Sequence, residues 1–146
     1  MKNTAQLYDI AFLGHYTKDT IVSSKGTRLV DGGAFNYGSN VAARMGLKVA
    51  AITRLAQEDH RVVDRLKKLD IDVFAHISPK STCLRLEYPT DNVDERTIFV
   101  QSTAGSFTSE EVENIQTGKY IVSFRPFPGN QFTMIVHPNK ALNISG

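Results

Sequence analysis

Cysteine is almost missing from this chain of 146 residues: Cys83 stands alone. No intrachain disulfide can form, which excludes a disulfide-stapled secreted scaffold. The four histidines, His15, His60, His76 and His137, have no spacing suited to a metal site. The stretch MKNTAQLYDIAFLGH is too polar at its start and too short in its apolar part for a signal peptide, and no apolar run approaches the roughly 20 residues of a membrane span. Charge of one sign is also lacking. The 17 Lys and Arg balance 15 Asp and Glu and are scattered, so no basic stripe points to nucleic acid. There is no G-K-[ST], the glycine-rich stretch is not a G-x-G-x-x-G, and no internal repeat or low-complexity tract occurs. The expectation is a cytoplasmic protein with neither a membrane nor a nucleic-acid partner.

What is present is enough for one core: 41% of residues are hydrophobic, and the length suits a single domain. YDIAFLG (8–14) reads as a buried strand closed by glycine. Residues 34–46 carry Ala34, Tyr37, Gly38, Val41, Ala42 and Met45 at helical spacing, with Gly46 as the stop. KVAAIT (48–53) is a strand, EDHRVVDRLKKLD a helix with Val62, Val63, Leu66 and Leu69 inward, and IDVFAHI (71–77) a strand. This alternation predicts an α/β domain with a mostly parallel sheet flanked by helices. The rhythm changes after residue 80. Leu84, Leu86 and Tyr88 alternate with Arg85 and Glu87, and a polar loop leads to a second β-rich run, which predicts a projecting hairpin over about 81–101. FTSEEVENI returns to helix, with Thr108 and Glu111 spaced as a capping box. KYIVSF (119–124) is another buried strand, and the pattern decays into an irregular tail over about 129–146, with one short strand.

The densest chemistry lies in VDGGAFNYGSNVAARMG (30–46). Two glycines let the backbone approach a ligand closely, and the helix behind them offers unpaired N–H groups. Asn36, Ser39 and Asn40 add donors and acceptors suited to sugar hydroxyls. The plainer account is a Gly32–Gly33 turn with Asn36 capping the helix. Asp19, after HYTK, sits in a predicted loop and reads by itself as a solvated turn carboxylate. His15 reads as a surface histidine, Arg96 as half of an exposed ion pair, Cys83 as a half-buried thiol, and Gly105 as a loop former.

The order DIAFLGHYTKDTIV, GGAFNYGSNVAARMGLKVAAITRLAQED, LDIDV, STCLRLEY and DERTIFV resembles the N-terminal half of the PfkB/ribokinase family of carbohydrate and nucleoside kinases, from about Tyr8 to Phe127. The resemblance implies a ribokinase-like fold and a sugar or nucleoside bound on Gly32 and Gly33. Asp19 would hydrogen-bond sugar hydroxyls, and the hairpin would close over the substrate as a lid. Two positions depart from the pattern. Tyr37 stands where the family commonly has a sugar-contacting asparagine, with Asn36 one position early. Ala56 replaces a turn glycine, with Asp59 nearest to the expected aspartate.

In the family a Gly-Ala-Gly-Asp motif, the ATP site and magnesium come from the C-terminal half. This chain carries no such motif; TAGS (103–106) falls in the wrong half. The expectations are therefore a single truncated α/β domain over 1–146, the C-terminal half missing. They include no catalytic residue and no cofactor of its own, with ATP and Mg implied by the family only, and substrate-binding positions Asp19, Gly32, Gly33, Asn36 and Tyr37. They also include a homo-oligomer formed through the lid hairpin or the sheet edge, because a sheet that stops after a strand leaves an open edge and an uncovered face. A non-catalytic sugar-binding module, or an interaction protein with a vestigial site, are the alternative readings.

Overall fold

The computed structural model describes residues 7–112, 115–127 and 131–138, with 116–127 and 131–138 given as backbone. Two sheets form. The core sheet contains β1 (Leu7–Leu13), β4 (Val49–Leu55), β5 (Asp72–Ile77), β8 (Gln116–Phe127) and β9 (Gln131–Pro138), in the order β5-β4-β1-β8-β9. Its first four strands run parallel, and β9 returns antiparallel on β8. The second sheet has the order β3-β2-β6-β7, built from β2 (Thr17–Ser23), β3 (Gly26–Gly32), β6 (Thr82–Glu87) and β7 (Thr97–Ser102). It is made of two antiparallel hairpins joined by a parallel β2–β6 pairing.

Strands β1 and β4 are mostly apolar, interrupted by Asp9 in the first and by Thr53 and Arg54 in the second, because both faces of the core sheet are covered. On one face lie α1 (Ala34–Arg44) and α2 (Arg61–Lys67), which bury Phe35, Ala42, Val62, Val63 and Leu66 against Phe12, Val49, Ala51 and Leu55. The other face packs Tyr8, Ala11, Leu13, Ala50 and Ile52 against Val112, Phe107 and Ile115. Gly38 lets α1 sit close to β1, since a Cβ there would come within 2.4 Å of the Phe12 ring. The helix ends at Gly46 (φ 83°), where Gly46 N donates to Ala43 O and Leu47 N to Ala42 O, the paired bonds of a left-handed helix stop. Helix α2 ends the same way at Asp70 (φ 57°), with Ile71 N donating to Leu66 O.

Three local readings change. The lid is twice the predicted size, because residues 17–32 form a hairpin of their own and place Asp19 on strand β2 instead of in a loop. TKDTIVS and GTRLVDG were hard to read as strands because polar residues occupy both faces of a thin, solvated sheet. Leu69 is half-exposed, and Ile71 takes the inward position expected of it. After Thr108 the described residues form a 3-10 turn, Ser109–Glu111, with the predicted Thr108–Glu111 capping box in place. Residues 113–114, which the predicted helix would continue through, lie outside the described residues, as do 128–130 and 139–146 of the tail.

Candidate functional site

The chain crosses between core and lid four times: at residues 14–16, at Gly33, at 78–81 and at 103–107. The first two crossings bring the sequence-nominated positions together. Thr17 pairs opposite Gly32 across β2 and β3, so Thr17, Asp19 and Gly32 share one face of the lid. A Cβ on Gly32 would lie 2.2 Å from Asp19 Oδ2 and 2.5 Å from Thr17 Oγ1. Glycine is therefore required for the Asp19 carboxylate to lie across the strand. Gly33 has φ 99°, and a Cβ there would meet the His15 carbonyl oxygen at 2.5 Å. Both glycines are fixed by close approach, one to a side chain and one to backbone.

Asp19 is the unusual member of this group. Its Oδ1 is buried, and among the described residues it has no hydrogen-bond partner. Burial pushes its pKa above the ordinary carboxylate value, the Thr17 hydrogen bond opposes that shift, and the charge of Asp31 adds to it. A buried acceptor left open is costly in a free protein, and a donor supplied by a ligand removes the cost.

Asn36 and Tyr37 flank the floor on the first turn of α1. Gly33 begins the helix and no side chain caps it, so Asn36 is not the helix cap. The Asn36 amide instead donates from Nδ2 to Asp31 O (3.4 Å) and accepts at Oδ1 from Asn40 Nδ2 (3.2 Å). Tyr37 is 55% exposed.

Behind the floor, Asp31 accepts from the Tyr16 hydroxyl (2.5 Å), from Arg61 Nη2 (3.0 Å) and from Arg65 Nη2. Burial alone would raise its pKa, but the Tyr16 hydrogen bond and the two guanidinium groups outweigh burial and hold the carboxyl below its ordinary value. Tyr16, fully buried, is pushed well above the usual phenol value by burial and by its bond to Asp31. Asp59, 1% exposed, accepts from Ser81 Oγ (2.6 Å) and pairs with Lys18 Nζ (2.8 Å). Sequence reading noted Asp59 only as a family position; nothing in its spacing showed that it would be buried between Lys18 and Ser81.

His15 is not a surface residue. Its ring lies against Phe107, with centroids 5.1 Å apart, and its Nδ1 is 2.9 Å from Thr82 Oγ1. Thr82 Oγ1 also accepts from Ala104 N (3.0 Å), so one hydroxyl joins the His15 ring to the loop after β7. Burial is the main reason that the His15 pKa falls below its ordinary value. Arg54 donates to Ala104 O and Glu111, securing the same loop. Arg96 donates to the Tyr88 hydroxyl, and among the described residues it pairs with no carboxylate. Cys83 is half-buried, as expected, with Sγ 3.7 Å from Ser81 O.

Among the described residues no group of three or more His, Cys, Asp or Glu gathers to hold a metal ion. No helix of the described residues is long and apolar enough to cross a membrane.

No protein-family profile matches the chain, and no curated protein matches it. Solved structures do. A pyrophosphate-dependent kinase in the ribokinase family, in a sulfate complex, is 28% identical and superposes with TM-score 0.69 over 77% of this chain and 39% of its own. A pyrophosphate-dependent kinase in the ribokinase family complexed with a pyrophosphate analog and myo-inositol gives 27% identity and TM-score 0.68, over 77% of this chain and 38% of its own. Ribokinase from Cryptococcus neoformans var. grubii serotype A, in complex with ADP, shares the fold at 14% identity and TM-score 0.59, over 70% of this chain and 36% of its own. The fold is ribokinase-like α/β, as the motifs implied. More particularly, the chain is similar to ribokinase-family kinases, and it spans about two fifths of the length of those it matches.

Proposed function

We propose that this chain carries the acceptor-binding floor and lid of a ribokinase-family kinase for a small polyhydroxylated substrate, a sugar, nucleoside or cyclitol. The observation that carries this reading is the meeting of Asp19, with its buried oxygen unpartnered among the described residues, and the two glycines that clear space beside it. A substrate hydroxyl donating to Asp19 Oδ1 supplies the missing bond, and the Gly32–Gly33 backbone lets the ring approach. Asn36 orders the floor through Asp31 O, and the exposed Tyr37 ring takes the place of a polar sugar contact, which favours a substrate other than ribose. Myo-inositol, bound by a neighbour of 27% identity, is a reasonable first probe.

Transfer of a phosphoryl group needs a base, an anion hole and a phosphoryl donor. No residue of this chain is assigned to those roles, and the chain by itself is proposed to bind without phosphorylating. ATP is the donor suggested by the family and by the ADP-bound neighbour. Assembly through the lid or the sheet edge is supported by the apolar residues on one lid face, where Val30, Leu84 and Val100 share a row with Asp19, and Ile21, Leu86 and Ile98 share the next row with Arg28. A cytoplasmic location belongs to the same reading.

Calorimetric titration of the chain with myo-inositol, fructose, ribose and adenosine tests the proposal. Saturable binding of one of them, weakened about tenfold or more by Asp19→Asn, is expected from loss of a charge-assisted hydrogen bond. Absence of binding to every compound, or binding indifferent to Asp19→Asn, refutes the floor. A monodisperse monomer at high concentration in sedimentation refutes the assembly. Non-catalytic sensing is the reading to adopt if binding persists with no partner able to restore phosphorylation.

A further inference from the structure

Three of the four crossings between core and lid are tied to one corner of the core, the segment Gln57–Asp59 and the start of α2, and the fourth is tied to the third. At the entry to β2, Lys18 Nζ pairs with Asp59 Oδ1 (2.8 Å) and Glu58 Oε1 (3.3 Å). At the exit from β3, Asp31 is held by Arg61 and Arg65 of α2 and by Tyr16 of the first crossing. Before β6, Ser81 Oγ donates to Asp59 Oδ2 (2.6 Å) while accepting from Ala56 N (2.8 Å). At the end of β7, Ser102 Oγ donates to Ser81 O (2.8 Å). Arg61 closes the circuit, because its Nη2 reaches Asp31 and its Nη1 lies 3.7 Å from Asp59.

We infer that Asp59 and Asp31, bridged by Lys18, Arg61 and Arg65, form a single ionic hinge pin that sets the angle of the lid to the core. The packing supports this division of labour. The apolar core clusters are built from the core sheet, its helices, the Tyr16 crossing and the 107–115 segment, and contain no residue of lid strands β2, β3, β6 or β7. The lid is thus joined to the core chiefly by polar ties at its crossings. A second tie, among His15, Thr82 and Ala104, contains no carboxylate or guanidinium and joins the first, third and fourth crossings. Asp31 immediately precedes the glycine pair, so the pin also fixes where the floor sits relative to Asp19. Its importance for a substrate rests on the floor reading above, whereas the mechanical role does not.

The test is a ligand-free distance measurement on the full chain. Spin labels at Asp91→Cys on the lid tip and Lys68→Cys on the core, in a Cys83→Ser background, report the lid angle by pulsed dipolar spectroscopy. The expected result is a narrow distribution that widens about twofold in Arg61→Ala/Arg65→Ala, whose side chains are more than half exposed, with the urea midpoint only modestly lowered. Lys18→Met widens it too and lowers the midpoint further, because it strips the cation from the buried Asp59. Arg61→Lys/Arg65→Lys restores most of the narrow distribution if charge holds the hinge. An unchanged width in both variants overturns the pin. Widening in Arg61→Ala/Arg65→Ala accompanied by a collapse of the urea midpoint also overturns it, since the network would then be a general stability element. Because no sugar is present, failure of the hinge and failure of the floor are read separately: a broad lid in a chain that binds no polyol leaves the hinge intact.

Discussion

The core sheet and the lid sheet use strands of similar length, and they differ in what covers them. Strand β4 buries six of its seven residues, whereas β3 exposes four of its seven. The core is held by side-chain volume: Phe35, Leu55, Leu66 and Ile71 are almost wholly removed from water. The lid keeps Leu29, Phe99 and Val100 exposed and is fastened to the core by carboxylates, guanidinium groups and hydroxyls. Apolar packing is insensitive to salt and pH and resists reorientation, while exposed ion pairs are weak and directional. A sheet fastened by the second means can change its angle without disturbing the first.

The contrast can be broken most severely from the core side. Phe35→Ala, which empties a fully buried site on α1, is expected to cost about 3–5 kcal/mol by cavity formation; a loss below about 1 kcal/mol in urea unfolding would contradict the packing described. At the seam between the two regions, Gly33→Ala sets a Cβ against the His15 carbonyl in a left-handed backbone and should cost about 2–3 kcal/mol. Its sign is the check, since an unstrained turn would gain stability from alanine.

Two smaller effects sharpen the picture. His15 carries a depressed pKa in the folded chain, so the unfolded chain binds its proton more tightly. Stability should therefore fall as pH drops through the ordinary value near 6.5 toward the lower folded value, with Arg54 opposing protonation of the ring and Glu111 favouring it. His15→Gln should flatten urea midpoints across that window; an identical slope would dismiss the tie at His15. Asp31 contributes in a separate window. Its folded pKa is lowered, so its stabilisation is present above the ordinary carboxylate value and lost only as pH falls below that value.

Asp19 has the opposite sign, because its raised pKa marks a charge that the fold does not favour. Asp19→Asn should stabilise the free chain by on the order of 1 kcal/mol while abolishing polyol binding. Destabilisation would show that the carboxylate serves the fold. Least of all, Val100→Thr on the open lid face should stay within about 0.5 kcal/mol in thermal unfolding, and a larger loss would mean that this face is covered in solution.

The legibility of the chain follows the same division. Strands β1, β4 and β5, helix α1 and the turn at Gly46 were visible because each carries a period or a stop that a covered sheet requires. The β6–β7 hairpin showed through its alternation. The β2–β3 hairpin did not, since a lid strand has no deep face to impose a pattern, and Asp19 was consequently placed in a loop. The 3-10 turn after Thr108 kept its capping box where a longer helix was expected. At the site, the glycine pair and Asp19 were nominated by motif. Asp59, Lys18, Arg61 and Ser81 could not be grouped, because they lie at sequence separations of up to 63 residues and meet only after two sheets have formed.

The sequence by itself determined the α/β alternation and the helix stop at Gly46, because periodicity and backbone freedom are local properties of the chain, whereas the demand for glycine at 32 and 33 came from the approach of Asp19, Thr17 and His15. Tertiary structure alone decided that Asp19 would be buried with an oxygen open among the described residues, that burial would lower the His15 pKa, and that Asp31 and Asp59 would join the crossings. Burial, proton affinity and ion pairing depend on which distant groups arrive beside a residue and how much water they displace, and no local pattern encodes that.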